Sequence, residues 1–115
     1  MTKLNLQVGN QVFAATLSDN ASTQALLAQL PLTVAMIELN GNEKYVNLAA
    51  KLPTDPKQVG RIEAGDLMLY GSDCLVLFYK GFSTSYSYTR LGQVDDTAGL
   101  ADALGKGNIR VKVGS

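Results

Sequence analysis

Along most of the chain, apolar and polar side chains alternate with a period of two, the signature of half-buried strands. Leu4, Leu6 and Val8 alternate with Lys3, Asn5 and Gln7. After a Gly9-Asn10 turn, Phe13, Ala15 and Leu17 alternate with Val12, Ala14 and Thr16, which predicts an opening hairpin. Between Ser18 and Leu30 the period changes. Asn20 or Ser18 can accept from the free amides of a helix start, Leu26, Leu27 and Leu30 share one helical face, and Pro31 prevents continuation. One helix of roughly ten residues is predicted. Its outer face is polar rather than basic, which favours packing on the fold over a membrane surface. A strand from Leu32 to Leu39 follows, with Leu32, Val34, Met36 and Glu38 on one face. Asn40-Gly41 is the strongest hairpin-turn signal in the chain, and Tyr45 to Leu48 is the expected return strand.

Pro53 to Gly60 reads as a surface loop, Arg61 to Glu63 as a short strand and Gly65-Asp66 as a turn. The alternation then disappears. Leu67, Leu69, Leu75 and Leu77 occupy one parity, while Met68, Tyr70, Val76 and Phe78 occupy the other, around a Gly71-Ser72-Asp73-Cys74 loop. A hairpin apolar on both faces must be covered on both, or must line a pocket. Gly81 to Tyr86 is an uncharged Ser/Thr-rich loop, and Tyr88 to Val94 a strand. Asp95-Asp96-Thr97 supplies helix-start residues for a stripe of Leu100, Ala101 and Leu104, with Gly105 at the helix end. Ile109, Val111 and Val113 form a terminal strand whose outer face carries Arg110 and Lys112. The tally of eight or nine short strands and two short helices predicts a mainly β chain. Closure into an antiparallel barrel would remove the edges that such short strands expose.

Composition narrows the chemistry. The 115 residues suit one domain spanning 1–115, and 46% apolar content suffices for a core. Ten basic residues balance ten acidic ones, so nucleic-acid binding driven by bulk charge is not expected. The chain has no His and no Trp, which removes every Ser–His–Asp and Cys–His arrangement and the commonest zinc ligand. A single cysteine, Cys74, excludes an internal disulfide and fits a reducing cytosol. No stretch approaches the ~18 apolar residues of a membrane span, and residues 1–6 carry no signal-like apolar run. A cytoplasmic protein without metal, cofactor, nucleic-acid or membrane partner is the expectation.

Read in order, Leu17-Ser18-Asp19-Asn20, Leu30-Pro31-Leu32-Thr33, a strand containing Tyr45, Gly65-Asp66-Leu67-Met68-Leu69-Tyr70, Leu75-Val76-Leu77-Phe78-Tyr79 and Leu91-Gly92-Gln93-Val94 form a nearly end-to-end pattern. The chain resembles the small bacterial cyclophilin-like proteins, a family of largely unassigned function. The resemblance implies a closed antiparallel barrel of about eight strands with the two helices at its ends. In true cyclophilins the strand after the first helix carries a Phe-His-Arg run whose Arg stabilises the twisted proline amide. Here the corresponding Leu32-Thr33-Val34-Ala35 has no Arg. Without a donor at the amide, transition-state stabilisation has no visible source, and isomerase activity is not expected.

A pocket on the outer face of the central hairpin is the leading site. Met36, Tyr45, Met68, Tyr70 and Phe78 are placed as its apolar floor, and Glu38 and Arg61 as polar anchors. The competing expectation is that the end helices and the Gly81 to Tyr86 loop cover these side chains as a second core. Tyr86 and Tyr88 share a parity and suit a lip over the pocket or ordinary loop packing. Glu63 with Asp66, and Asp95 with Asp96, read as turn and helix-start groups rather than acid–base or cation sites. Cys74, beside Asp73 with no neighbouring cation, is not expected to be a catalytic thiol. Gly105-Lys106-Gly107 precedes a strand and reads as a turn. The leading function is a non-catalytic module binding a small molecule or peptide. An atypical peptidyl-prolyl isomerase and a homodimer interface are the alternatives.

Overall fold

A computed structural model of the chain describes residues 2–115. Alternation becomes geometry at once in β1 (Lys3–Val8) and β2 (Gln11–Leu17). Leu4, Leu6, Val8, Phe13, Ala15 and Leu17 are buried on one face of this hairpin. The helix α1 (Ala21–Leu27) is shorter than its pattern predicts. Its start is closed by a reciprocal cap in which the Asn20 side chain accepts from the Thr23 amide at 2.9 Å and the Thr23 hydroxyl accepts from the Asn20 amide. Its end tightens, because the amides of Gln29 and Leu30 turn back to the carbonyls of Leu26 and Leu27 before Pro31.

Strands β3 (Leu32–Leu39) and β4 (Glu43–Asn47) are joined by Asn40 at φ 58° and Gly41 at φ 68°. Two successive left-handed residues twist with the flanking strands, which is why Asn-Gly is favoured there. Beyond β4 the chain makes an excursion through two-residue strands β5 (Lys57–Gln58) and β6 (Arg61–Ile62). It returns as the hairpin β7 (Asp66–Tyr70) and β8 (Cys74–Phe78), followed by β9 (Phe82–Ser83) and β10 (Ser87–Val94). The helix α2 (Leu100–Leu104) and the strand β11 (Ile109–Gly114) complete the chain. Cys74 is therefore the first residue of β8, opposite Tyr70, rather than part of the hairpin loop.

The sheet runs β2-β1-β11-β3-β4-β8-β7-β10, and β10 pairs again with β2, closing eight antiparallel strands into a barrel. β5 extends the sheet beside β10, and β6 with β9 forms a separate ribbon. The interior is filled from all sides by Leu4, Leu6, Val34, Met36, Leu67, Leu69, Leu75, Leu77, Leu91 and Val111. α1 follows the last residue of β2 and inserts Leu26 into this core, while α2 follows the far end of β10 and inserts Leu100 and Leu104. The two helices thus plug opposite ends. α2 begins later than its acidic residues suggest. Asp95 bonds Lys3 and Thr16 at 2.6 and 2.5 Å, and Asp96 accepts from the Ala98 amide at 3.0 Å, so neither caps the helix. Among the described residues no helix is long and apolar enough to cross a membrane.

Closure depends on Gly92. It lies opposite Leu17, just past an irregularity in the β10–β7 register. A Cβ there would fall inside van der Waals contact of the Thr16 carbonyl oxygen and 3.0 Å from the Leu17 Cα. The end of the barrel beneath α2 is closed by a charge instead. The fully buried Lys44 ammonium reaches Glu38 at 2.9 Å and the carbonyls of Gly105 and Gly107 at 2.8 and 2.6 Å. The Tyr79 hydroxyl donates to the same Glu38 oxygen at 2.5 Å, and the Gly41 amide to the other at 2.7 Å. Partial burial pushes the Glu38 carboxyl up, but Tyr79, Lys44 and Gly41 outweigh it and hold the carboxyl below its ordinary value.

Gly92→Ala is expected to lower unfolding stability by about 2–3 kcal/mol, measured by urea denaturation; an unchanged midpoint would mean that the seam has room to spare. Glu38→Gln leaves Lys44 buried without its carboxylate and is expected to cost about 3 kcal/mol at neutral pH. Because the folded carboxyl is more acidic than the unfolded one, that contribution is complete above an unfolded value of about 4.3 and fades as pH falls through the lower folded value. Melting curves of the two proteins should therefore converge in acid.

Candidate functional site

The outward residues of the central strands are set by register. On β4 these are Glu43 and Tyr45, on β8 Cys74, Val76 and Phe78, on β7 Met68 and Tyr70, with Tyr88 on β10. Ile62, Met68, Val76, Phe78 and Tyr88 form a second buried cluster, with Tyr45, Val59, Cys74 and Phe82 packed against it. The cover is the β6–β9 ribbon. Ile62 and Phe82 come from its two strands, and the Phe78 and Phe82 rings lie 5.6 Å apart. The end helices take no part, since Leu26, Leu100 and Leu104 belong to the barrel interior. The outer face is thus sealed over Met68 and Phe78, each fully buried.

The seal is incomplete. Beside the ribbon lies an open cleft of about 340 Å³, lined by Leu39, Glu43, Tyr45, Tyr70, Cys74, Val76, Tyr86 and Tyr88 among others. Tyr70 and Tyr86 are 48% and 61% exposed, so large apolar surface stands in water here. The rings form one connected set. Tyr70 meets Tyr86 at 6.1 Å and 72°, and Tyr88 at 5.6 Å and 56°, while Tyr88 stands edge-on to Phe78 at 5.6 Å and 89°. Such steep contacts satisfy the ring quadrupoles and stiffen the wall. Burial pushes the Tyr88 hydroxyl up to about 12, followed by the influence of Glu43 and the neighbouring phenols, so the ring stays neutral.

Of the residues expected at a pocket, Tyr45 and Tyr70 line this cleft, and Met68 and Phe78 support it from the sealed cluster. The other three lie elsewhere. Met36 faces the barrel interior at 2% exposure. Glu38 belongs to the Lys44–Tyr79 cluster at the barrel end. Arg61, on the ribbon, pairs with Glu63 at 3.1 Å beside a separate polar cleft that also takes in Asp66, Arg90 and Gln93. Asp66 accepts from the Glu63 amide at 2.9 Å and from Gln93 at 3.3 Å, a turn role. Among the described residues no group of three or more His, Cys, Asp or Glu side chains is placed to hold a metal ion. Burial, then Asp73 and Glu43, raises the Cys74 thiol, which favours its protonated form.

Glu43 is the residue that sequence reasoning missed. Starting the return strand at Tyr45 left it in the turn, yet the Asn40-Gly41 pair sets Leu39 opposite Glu43. Alternation backwards from Tyr45 would have put it on the outer face. Its neighbours across the sheet are Leu39 and Phe78, and it is only 8% exposed. Burial raises its carboxyl, and the charge of Glu38 adds to the effect.

An eight-stranded closed barrel with a helix plugging each end is the architecture that the resemblance implied. The chain matches the model of the cyclophilin-like family over residues 6–114, and it belongs to that family. Neither a curated protein nor a solved structure matches it.

An unpaired carboxylate in this setting costs stability. Because water in the cleft screens the carboxylate, Glu43→Gln is expected to raise unfolding stability by no more than about 1 kcal/mol at neutral pH. The sign opposes that at Glu38. A raised folded carboxyl carries its full penalty above the folded value and loses it as pH falls toward about 4.3. The stability gain of the variant should shrink over the same interval in a pH series of melting curves.

Proposed function

We propose that the chain is a non-catalytic binding module that holds a small organic molecule, or the side chain of a peptide, in the tyrosine cleft. The observation that carries this reading is the exposure of Tyr70 and Tyr86 beside a sealed apolar floor. A wall of rings held by mutual contact is preorganised, so a ligand need not bear the cost of ordering it. The cleft volume of about 340 Å³ suits a compact ligand. A lone half-buried thiol is compatible with a cytoplasmic setting.

A second reading has its own observation. Ile37 and Leu39, 42% and 41% exposed on β3, continue the apolar surface past the cleft, which favours a homodimer contact. Light scattering that finds only monomer at high concentration would remove it. Isomerase activity with an atypical site has fold-level analogy alone behind it.

A thermal-shift screen of small organic compounds tests the main reading. A ligand at ~100 times its Kd adds about 2.7 kcal/mol, enough to move the melting temperature by roughly 10 °C. Tyr86→Ala, at an exposed position, should fold normally and lose that shift. If no compound raises the melting temperature, or Tyr86→Ala responds like wild type, the reading fails.

A further inference from the structure

We infer that the cleft takes an organic cation, an ammonium or guanidinium group on an apolar body, held by the Glu43 carboxylate and the surrounding tyrosine rings. The inference rests on the proposed role of the cleft as a ligand site and names the chemistry of what enters it.

Glu43 is more than nine-tenths buried and lines the cleft together with Tyr45, Tyr70, Tyr86 and Tyr88. Among the described residues no cation pairs with it and no donor hydrogen-bonds its carboxylate. The adjacent Lys44 cannot serve. It points to the opposite face of β4, where Glu38 and two backbone carbonyls hold it. The Glu43 carboxylate oxygens open into the cleft, since the one sealed side-chain polar atom without a partner among the described residues is Asn42 Oδ1. A charge on an otherwise buried side chain gains from a partner. Here the missing partner has space to arrive from solvent.

The lining selects among possible partners. A hard metal ion needs several oxygen ligands, and Glu43 is the one carboxylate among the residues lining the cleft. An anionic ligand would be repelled. A neutral apolar ligand would strip the remaining water from Glu43 and give nothing in return. An organic cation meets both halves of the site, since its charge pairs with the carboxylate and its alkyl groups pack on electron-rich ring faces. Tyrosine rings attract such cations within ~6 Å of their centroids.

Choline and 3,3-dimethylbutan-1-ol, which differ by a quaternary nitrogen in place of a carbon, provide the test. Each, alongside indole as a neutral aromatic probe, is titrated into the intact protein at neutral pH and low salt, and Kd is read from tyrosine-ring and backbone-amide chemical shifts. Choline is expected to bind at least ~tenfold more tightly than the alcohol. Glu43→Gln should cut the ratio several-fold, leaving only the smaller preference that the rings supply, and Tyr86→Ala should weaken choline several-fold. Equal affinities in the wild-type protein, or a preference for choline that is undiminished in Glu43→Gln, would overturn the inference. If the alcohol or indole shifts the cleft signals while choline shows no advantage, the cleft remains a ligand site and only its cationic preference is lost. If choline, the alcohol and indole all leave those signals unmoved, both readings are lost.

Discussion

The structure is organised by the requirement that one hairpin be kept dry on both sides. β7 and β8 carry leucines on one parity and Met68, Val76 and Phe78 on the other. Neither face can be left in water at ~25 cal/mol per Å² of apolar surface. The barrel interior takes Leu67, Leu69, Leu75 and Leu77. The outer face needs a lid, and the excursions that contain β6 and β9 exist as a ribbon whose Ile62 and Phe82 supply it. The lid is two residues wide on each strand and does not reach across to β3. The tyrosine cleft is what remains uncovered.

Adjacent charges at the β3–β4 turn show how strand alternation assigns unlike roles to neighbours. Lys44 turns inward, where Glu38 and the carbonyls of Gly105 and Gly107 surround it, so that a full charge seals the barrel beneath α2. Glu43 turns outward among Leu39, Phe78 and the phenols and finds no partner. One charge is structural because its hydrogen bonds are complete. The other has its carboxyl raised by burial beside an open cleft, and the proposed ligand site rests on that placement.

Family membership accounts for the barrel and its plugged ends but assigns no chemistry, because function resides in sites placed on a fold. The outward face of β3 presents Thr33, Ala35 and Ile37, none able to donate a hydrogen bond from a charged group. The candidate site lies further round the sheet, among the tyrosines on and beside β4, β7 and β10 and the carboxylate at the start of β4.

The alternating stretches from Leu4 to Leu17 and from Ile109 to Val113, the Asn40-Gly41 turn and the Gly105 helix end are local patterns, and the backbone follows them. So is the two-sided hydrophobicity of residues 67–78, which by itself demanded a second covering layer. The identity of that layer was beyond local reading. Ile62 and Phe82 are neighbours only because a two-residue ribbon pairs across the intervening hairpin. Met36 and Glu38 share a parity with no pocket residue once the barrel closes around them. The meeting of Glu43 with Tyr70, Tyr86 and Tyr88 spans more than forty residues of chain. Periodicity determines which face of a strand is apolar; only the closure of β10 onto β2, a contact between distant segments, decides what each face meets.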